Sequence, residues 1–203
     1  MKRLACLLLA VTALHLQAAI IVNGSFENNT GGIPDSWTAT GNLGVSPVQG
    51  KSDGSFAVAF SLGNTPSNGV LSQTFSTTLG QDYLLTFDFG KYAVNQPTEV
   101  ARLVYDIFDG AGFGGASLLS GTVSDGTPGL NSDSSLLYNP YQFAFTAMGA
   151  LTTLRFTDTS DPQSGGGGFD AMLDNVSVAS VPEPSRISMF ACALIGLAMR
   201  RRR

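Results

Sequence analysis

From Tyr83 to Phe89 the chain reads Tyr-Leu-Leu-Thr-Phe-Asp-Phe, and this alternation constrains the fold more than any other stretch. Successive side chains on a strand point to opposite faces, so Tyr83, Leu85, Phe87 and Phe89 share one face and Leu84, Thr86 and Asp88 the other. Gly80-Gln81-Asp82 ahead of it is a turn signal. Similar short runs, rich in Thr, Val, Phe and Tyr, recur near 20–22, 46–48, 56–60, 70–75, 101–108, 117–123, 142–146, 151–156 and 172–178. Gly, Asn, Asp, Ser and Pro separate them, with longer loops at 30–36, 111–115, 125–138 and 158–169. Of 24 glycines, 23 lie between residues 20 and 180, about twice the usual ~7% frequency. No helical stretch of useful length lies between the two end segments, and no repeat of solenoid or propeller spacing is present. Many short strands without helices predict an all-β antiparallel sandwich, a jelly roll.

The two ends differ from this body. Residues 1–19 carry Lys2 and Arg3, an apolar run from Leu4 to Leu16, then Gln17-Ala18-Ala19. That is the pattern of a secretory signal peptide, cut after Ala18 or Ala19. Residues 181–203 open Val-Pro-Glu-Pro-Ser-Arg, continue apolar from Ile187 to Met199, and end in Arg200, Arg201, Arg202 and Arg203. The apolar run is shorter than an ordinary ~20-residue spanning helix. Four arginines resist transfer across a bilayer and stay on the cytoplasmic side.

Without its ends, the body at 20–180 has four basic residues against fourteen acids, a net charge of −10, whereas the whole chain carries −4. Such a body repels nucleic acid and anionic membranes and suits calcium or neutral sugars. Cys6, Cys192 and the only histidine, His15, all lie in the end segments. A Ser-His-Asp triad, a Cys-His pair and a His- or Cys-ligated zinc are therefore excluded from the body. Carboxylate chemistry remains open, either a two-acid glycosidase or calcium binding. Gly165-Gly166-Gly167-Gly168 is followed by neither Lys nor helix and reads as a sheet connection, not a phosphate cradle.

The tail's three ordered features, Pro182-Glu183-Pro184, an apolar segment and a basic end, resemble the PEP-CTERM sorting signal of exported bacterial proteins. That resemblance implies processing by an exosortase, a transpeptidase-like membrane protease, after signal peptidase has acted at the other end. It also implies transient anchoring in the inner membrane, then a place at the cell surface or outside, in bacteria that make extracellular polysaccharide. The alternative is a plain C-terminal anchor that is never cut.

The body opens Asn23-Gly24-Ser25-Phe26-Glu27, carries Lys51-Ser52-Asp53-Gly54-Ser55-Phe56 near its first third, and closes Leu173-Asp174-Asn175-Val176-Ser177-Val178. This order resembles galactose-binding-like jelly rolls, which include many carbohydrate-binding modules. The resemblance implies a structural calcium joining the first and last strands through Glu27, Asp174 and the turn at Asp53. Calcium wants 6–8 oxygen ligands, which carboxylates begin and carbonyls complete. The bland reading makes Glu27 and Asp174 strand-end acids, solvated or paired with Lys51 or Arg155. Asp106-Ile107-Phe108-Asp109 and Asp158-Thr159-Ser160-Asp161 lack EF-hand spacing and read as turn aspartates.

Sugar sites in sandwiches combine an aromatic platform with polar side chains. Trp37, Tyr92 and Tyr138 are the candidates, with Phe113 and Tyr141 beside predicted loops. Trp37 also fits the core, Tyr92 a strand end, and the two later tyrosines a braced Asn139-Pro140 turn. Three functions stay in play: a non-catalytic exopolysaccharide-associated module, a structural surface protein without sugar binding, and a carboxylate-dependent glycoside hydrolase. The module is the expected one. No residue is marked as catalytic.

Overall fold

The computed structural model describes residues 19–48, 50–62, 66–93, 99–127, 137–162 and 168–182. All but Pro182 belong to one compact unit, Ala19–Val181. The expected signal segment before Ala19, and Glu183, Pro184 and the four terminal arginines of the expected sorting tail, lie outside the described residues.

The strands in chain order are β1 (Asn29–Thr30), β2 (Ile33–Pro34), β3 (Thr38–Thr40), β4 (Leu43–Ser46), β5 (Ala57–Phe60) and β6 (Val70–Ser76). Then come β7 (Asp82–Ala93), β8 (Ala101–Asp109), β9 (Ser117–Asp125), β10 (Tyr138–Thr146), β11 (Leu151–Asp158) and β12 (Phe169–Ser180). β1 and β2 form a small ribbon. The others make two antiparallel five-stranded sheets, ordered β10-β7-β12-β5-β4 and β3-β6-β11-β8-β9.

The alternation at 83–89 does what it predicts. Tyr83, Leu85, Phe87 and Phe89 of β7 are buried in one core with Leu103, Tyr105 and Ile107 of β8 and Leu154 and Phe156 of β11. Phe87 meets Phe156 edge-on at 5.1 Å between ring centroids and Tyr105 at 5.8 Å. Each buried ring removes apolar surface worth ~1.5–3 kcal/mol from water. One core between two facing sheets is an antiparallel β-sandwich, the expected class.

Away from the start, the expected Asn139-Pro140 turn is strand instead, since β10 already begins at Tyr138. The other differences from expectation lie at the start. Residues 20–22 are not a strand. They run beside the second half of β12, where β5 has ended: Ile20 N–H donates to the Val178 carbonyl at 2.8 Å, and Val176 N–H to the Gly24 carbonyl at 2.9 Å. The buried Gln73 amide on β6 secures this segment, accepting from Val22 N–H at 2.8 Å and donating to the Val22 carbonyl at 2.9 Å. β1, β2 and β3 are two or three residues long, too short for a period to show. β4 lies ahead of the expected 46–48, because Pro47 cannot continue a ladder.

Among the described residues β10 pairs with β7 alone, at the edge of its sheet, and Pro140 stands opposite Asp88. Pro lacks an N–H and is tolerated in a sheet at an edge such as this.

Gly24 is required by close approach. A Cβ there would stand 1.8 Å from the Val176 carbonyl oxygen. Gly24→Ala should therefore detach the opening segment from β12 and destabilise the body by about 1–3 kcal/mol, read from the urea midpoint.

Candidate binding site

The register of β7 with its neighbours fixes what its outer face carries. Thr86 stands opposite Gln142 of β10, and Asp88 lies between Pro140 of β10 and Asp174 of β12. Like charges directly opposite one another on adjacent strands destabilise a sheet. Three features handle the Asp88–Asp174 pair. β12 bulges between Asp174 and Ser177. Asn175, in the bulge, adopts a left-handed φ of 52° and donates from Nδ2 to Asp88 Oδ2 at 3.2 Å. Asp174, fully buried, accepts from the main-chain N–H groups of Ser52 (2.8 Å) and Asp53 (2.9 Å) at Oδ2 and of Asn175 (2.7 Å) at Oδ1. Bulges and left-handed residues of this kind re-aim side chains, often beside functional sites.

An open cleft of about 380 Å³ results, lined by Thr86, Asp88, Pro140, Gln142 and Asn175. It offers a hydroxyl, a carboxylate, two amides and one apolar ring. Beside it, Tyr92 and Tyr138 are half-buried against Ala57, Ala59 and Met172. The two alanines let the tyrosine rings approach the sheet. The Tyr138 hydroxyl donates to the Gly50 carbonyl at 2.7 Å, and burial, with Asp174 and Asp88 nearby, pushes its pKa well up, so the phenol stays protonated.

Glu27 works with Asp174 on the same turn. Its Oε1 accepts from Ser55 N–H at 2.7 Å and Phe56 N–H at 2.9 Å. Gly54 turns under it with φ +60°, and a Cβ there would lie 2.3 Å from that oxygen. Glu27, Asp53 and Asp174 therefore meet at one corner, as the resemblance implies, but Asp53 takes part through its N–H while its side chain is exposed. Among the described residues no three acidic, histidine or cysteine side chains gather closely enough to hold a metal ion. The turn presents N–H groups to both carboxylates, and a cation needs oxygen lone pairs. The donor set fits a carboxylate–amide clamp and does not by itself fit a calcium shell.

The other expectations resolve separately. Trp37 is corrected: only 7% exposed, it packs on Phe26 at 5.5 Å and donates from its indole N–H to the Asn23 carbonyl at 3.0 Å. It is core and offers no platform. Tyr141 faces inward and stacks on Phe87 at 5.6 Å. Phe113 is exposed but belongs to the other sheet's surface, where it and Phe108 each lie 4.8 Å from the Arg155 guanidinium. Asp106 is a strand residue, not a turn one. Its Oδ2 accepts from Arg155 at 2.7 and 3.1 Å and its Oδ1 from Ser120 at 2.6 Å. Asp161 pairs with Arg102, whose hydrogen bond holds the carboxyl below its ordinary range. Sequence reasoning missed Asp88, Gln142 and Asn175 as cleft residues. The alternation at 83–89 does put Asp88 outward, whereas only the pairing register brings the other two to it.

No family model matches the chain, and no curated protein does. Solved structures do. The carbohydrate-binding module TmCBM61, solved in complex with β-1,4-galactotriose, superposes with a TM-score of 0.51 at 14% identity over 81% of this chain and all of that one. The K1 cleaved adhesin domain of Lys-gingipain from Porphyromonas gingivalis W83 gives 0.49 at 20% identity, over 78% and 96%. The CBM22-1 xylan-binding domain from Paenibacillus barcinonensis Xyn10C gives 0.48 at 17%, over 82% and 97%. At such identities the likeness is one of fold alone, a jelly-roll β-sandwich shared with TmCBM61.

Burial pushes the Asp174 carboxyl up to about 6, even though N–H bonds from Asp53, Asn175 and Ser52 pull it down. The folded state thus holds this proton more tightly than the unfolded chain, whose carboxyl sits near 3.9. Its contribution to stability is full below about pH 4 and is lost as pH rises through about 6. In EDTA, the melting temperature of wild type relative to Asp174→Asn should therefore rise as pH falls from 7 to 4.5. A calcium ion at this corner would hold the carboxylate ionised, so the same comparison in calcium would slope the other way.

Proposed function

We propose that the body is a non-catalytic carbohydrate-binding module whose site is the cleft on the outer face of the β10-β7-β12-β5-β4 sheet. The observation that carries this reading is the convergence of Thr86, Asp88, Gln142 and Asn175 on one open cleft beside half-buried tyrosines. Sugars present alternating hydroxyl donors and acceptors, and hydroxyl, amide and carboxylate groups answer both. The net charge of −10 on the body favours a neutral polysaccharide over an acidic one. The jelly-roll likeness to a module solved with β-1,4-galactotriose supports the class and puts β-1,4-galactan first on the panel to test.

Affinity electrophoresis through gels containing neutral polysaccharides tests the reading. Asp88→Ala and Gln142→Ala should each weaken retardation by about tenfold or more, a loss of ~1.4 kcal/mol. Phe113→Ala, on the opposite sheet, should leave it unchanged. Absence of retardation across the panel refutes the module.

Delivery completes the proposal. Signal peptidase removes residues 1–19, the tail at 181–203 holds the body at the inner membrane, and an exosortase reads Pro182-Glu183-Pro184 and releases it to the surface or matrix. Replacing Glu183 and Pro184 by Ala should block processing, so that immunoblots of the native host retain the form bearing Arg200–Arg203. Unchanged release of a product lacking the arginines refutes the sorting role.

A further inference from the structure

Two turns at one end of the sandwich are joined by their backbones. Residues 77–81 connect β6 to β7, and residues 147–150 connect β10 to β11. Thr77 N–H donates to the Ala150 carbonyl at 2.9 Å, Gly80 N–H to Ala147 at 2.8 Å, and Ala147 N–H to Gln81 at 3.0 Å. The Thr77 hydroxyl adds a bond to the Gly149 carbonyl at 3.0 Å. At these turns the structure exposes large apolar side chains: Leu79 at 73%, Met148 at 60% and Leu151 at 43%. Soluble surfaces scatter such residues singly, and grouping marks an interaction site.

The chain leaves the body at the same place. Val181, 39% exposed, donates its N–H to the Asp82 carbonyl at 2.8 Å and accepts from the Gln81 side chain at 2.7 Å. The apolar run of the tail begins at Ile187, six residues on, a reach of about 20 Å at full extension. Two prolines in that short link limit its slack.

We propose that this end of the sandwich is a membrane-facing surface, with Leu79 and Met148 entering the lipid interface while the tail holds the precursor in the bilayer. The inference rests on the reading of the tail as membrane-embedded. Its occupant is a zwitterionic lipid surface. Residues 76–82 and 146–151 contain no Lys, Arg or His to attract anionic headgroups. The acids nearby are Asp82, next to the turn, and Asp109, whose carboxylate faces Gly149. A few apolar tips adsorb weakly and reversibly on their own. Tethered within about 20 Å of the surface, they act at high effective concentration. The docked body would present Pro182-Glu183-Pro184 at the membrane face, where a membrane-bound protease works, and cutting the tail would let the weak contact go.

The test uses the full chain with Cys6→Ser and Cys192→Ser, reconstituted in phosphatidylcholine vesicles containing brominated lipid. Single cysteines carrying a fluorophore are placed by Leu79→Cys, Met148→Cys, Leu62→Cys and Leu194→Cys. Leu62 follows Phe60, which pairs with Ala171 at the opposite end of the sheet, and serves as the aqueous reference. Melting curves check that each labelled chain is folded. Quenching at positions 79 and 148 should exceed that at 62 by at least about twofold. Positions 79 and 148 behaving like 62, with 194 strongly quenched, overturns the proposal and spares the tail reading. Quenching at 79 and 148 without 194 sustains the surface and overturns the tail reading. No quenching at any position overturns both.

Discussion

Asp88 and Asp174 stand opposite one another on neighbouring strands at the middle of a sheet, and much of the candidate site follows from how that repulsion is relieved. Asp174 is covered by the turn at 50–56 and fed by three N–H groups. Asp88 stays on the cleft side and takes an amide from Asn175. The bulge that separates them also sets Asn175 beside Asp88. One electrostatic conflict thus divides into a sealed structural carboxylate and an open one available to a ligand.

Sealing Asp174 draws in the opening of the chain. Asn23 holds the first ribbon by donating from its side chain to the carbonyls of Asn28 and Asp35 and accepting from Asn28 N–H. Gly24 allows contact with β12, Phe26 enters the core, and Glu27 reaches the same turn that covers Asp174. First strand region, covering turn and last strand are therefore tied by charge-assisted hydrogen bonds, which are stronger than neutral ones. The body contains no cysteine and so no disulfide. A buried cation follows the same habit. Lys91 enters the sandwich near the end of β7, donates to the Glu99 carbonyl at 2.6 Å and the Thr127 carbonyl at 3.2 Å, and lies over the Phe169 ring. Burial lowers its pKa against the opposing pull of Asp125, Glu99 and Asp161.

The sequence exposes the long strands because their period is two and their faces differ in polarity, and 83–89 is legible for that reason. It hides β1, β2 and β3, which contain too few residues to alternate, and it misreads 20–22, where β-branched residues run beside a strand without a ladder of their own. Glu27 and Asp174 can be read as neighbours only through family resemblance. That the turn offers them N–H rather than C=O depends on main-chain orientation, which no residue type encodes. Trp37 shows the same limit: a large amphipathic ring beside a loop fits platform and core equally, and only burial separates the two.

Pro140 gives the site one more property. It sits on the border strand, directly across from Asp88, where a missing donor leaves the outer rim without a continuous template. A foreign polypeptide cannot zip along that rim as an added strand. The mouth of the cleft is thereby left open to groups that approach through side chains, and a neighbouring strand laid along the rim meets a gap at its middle.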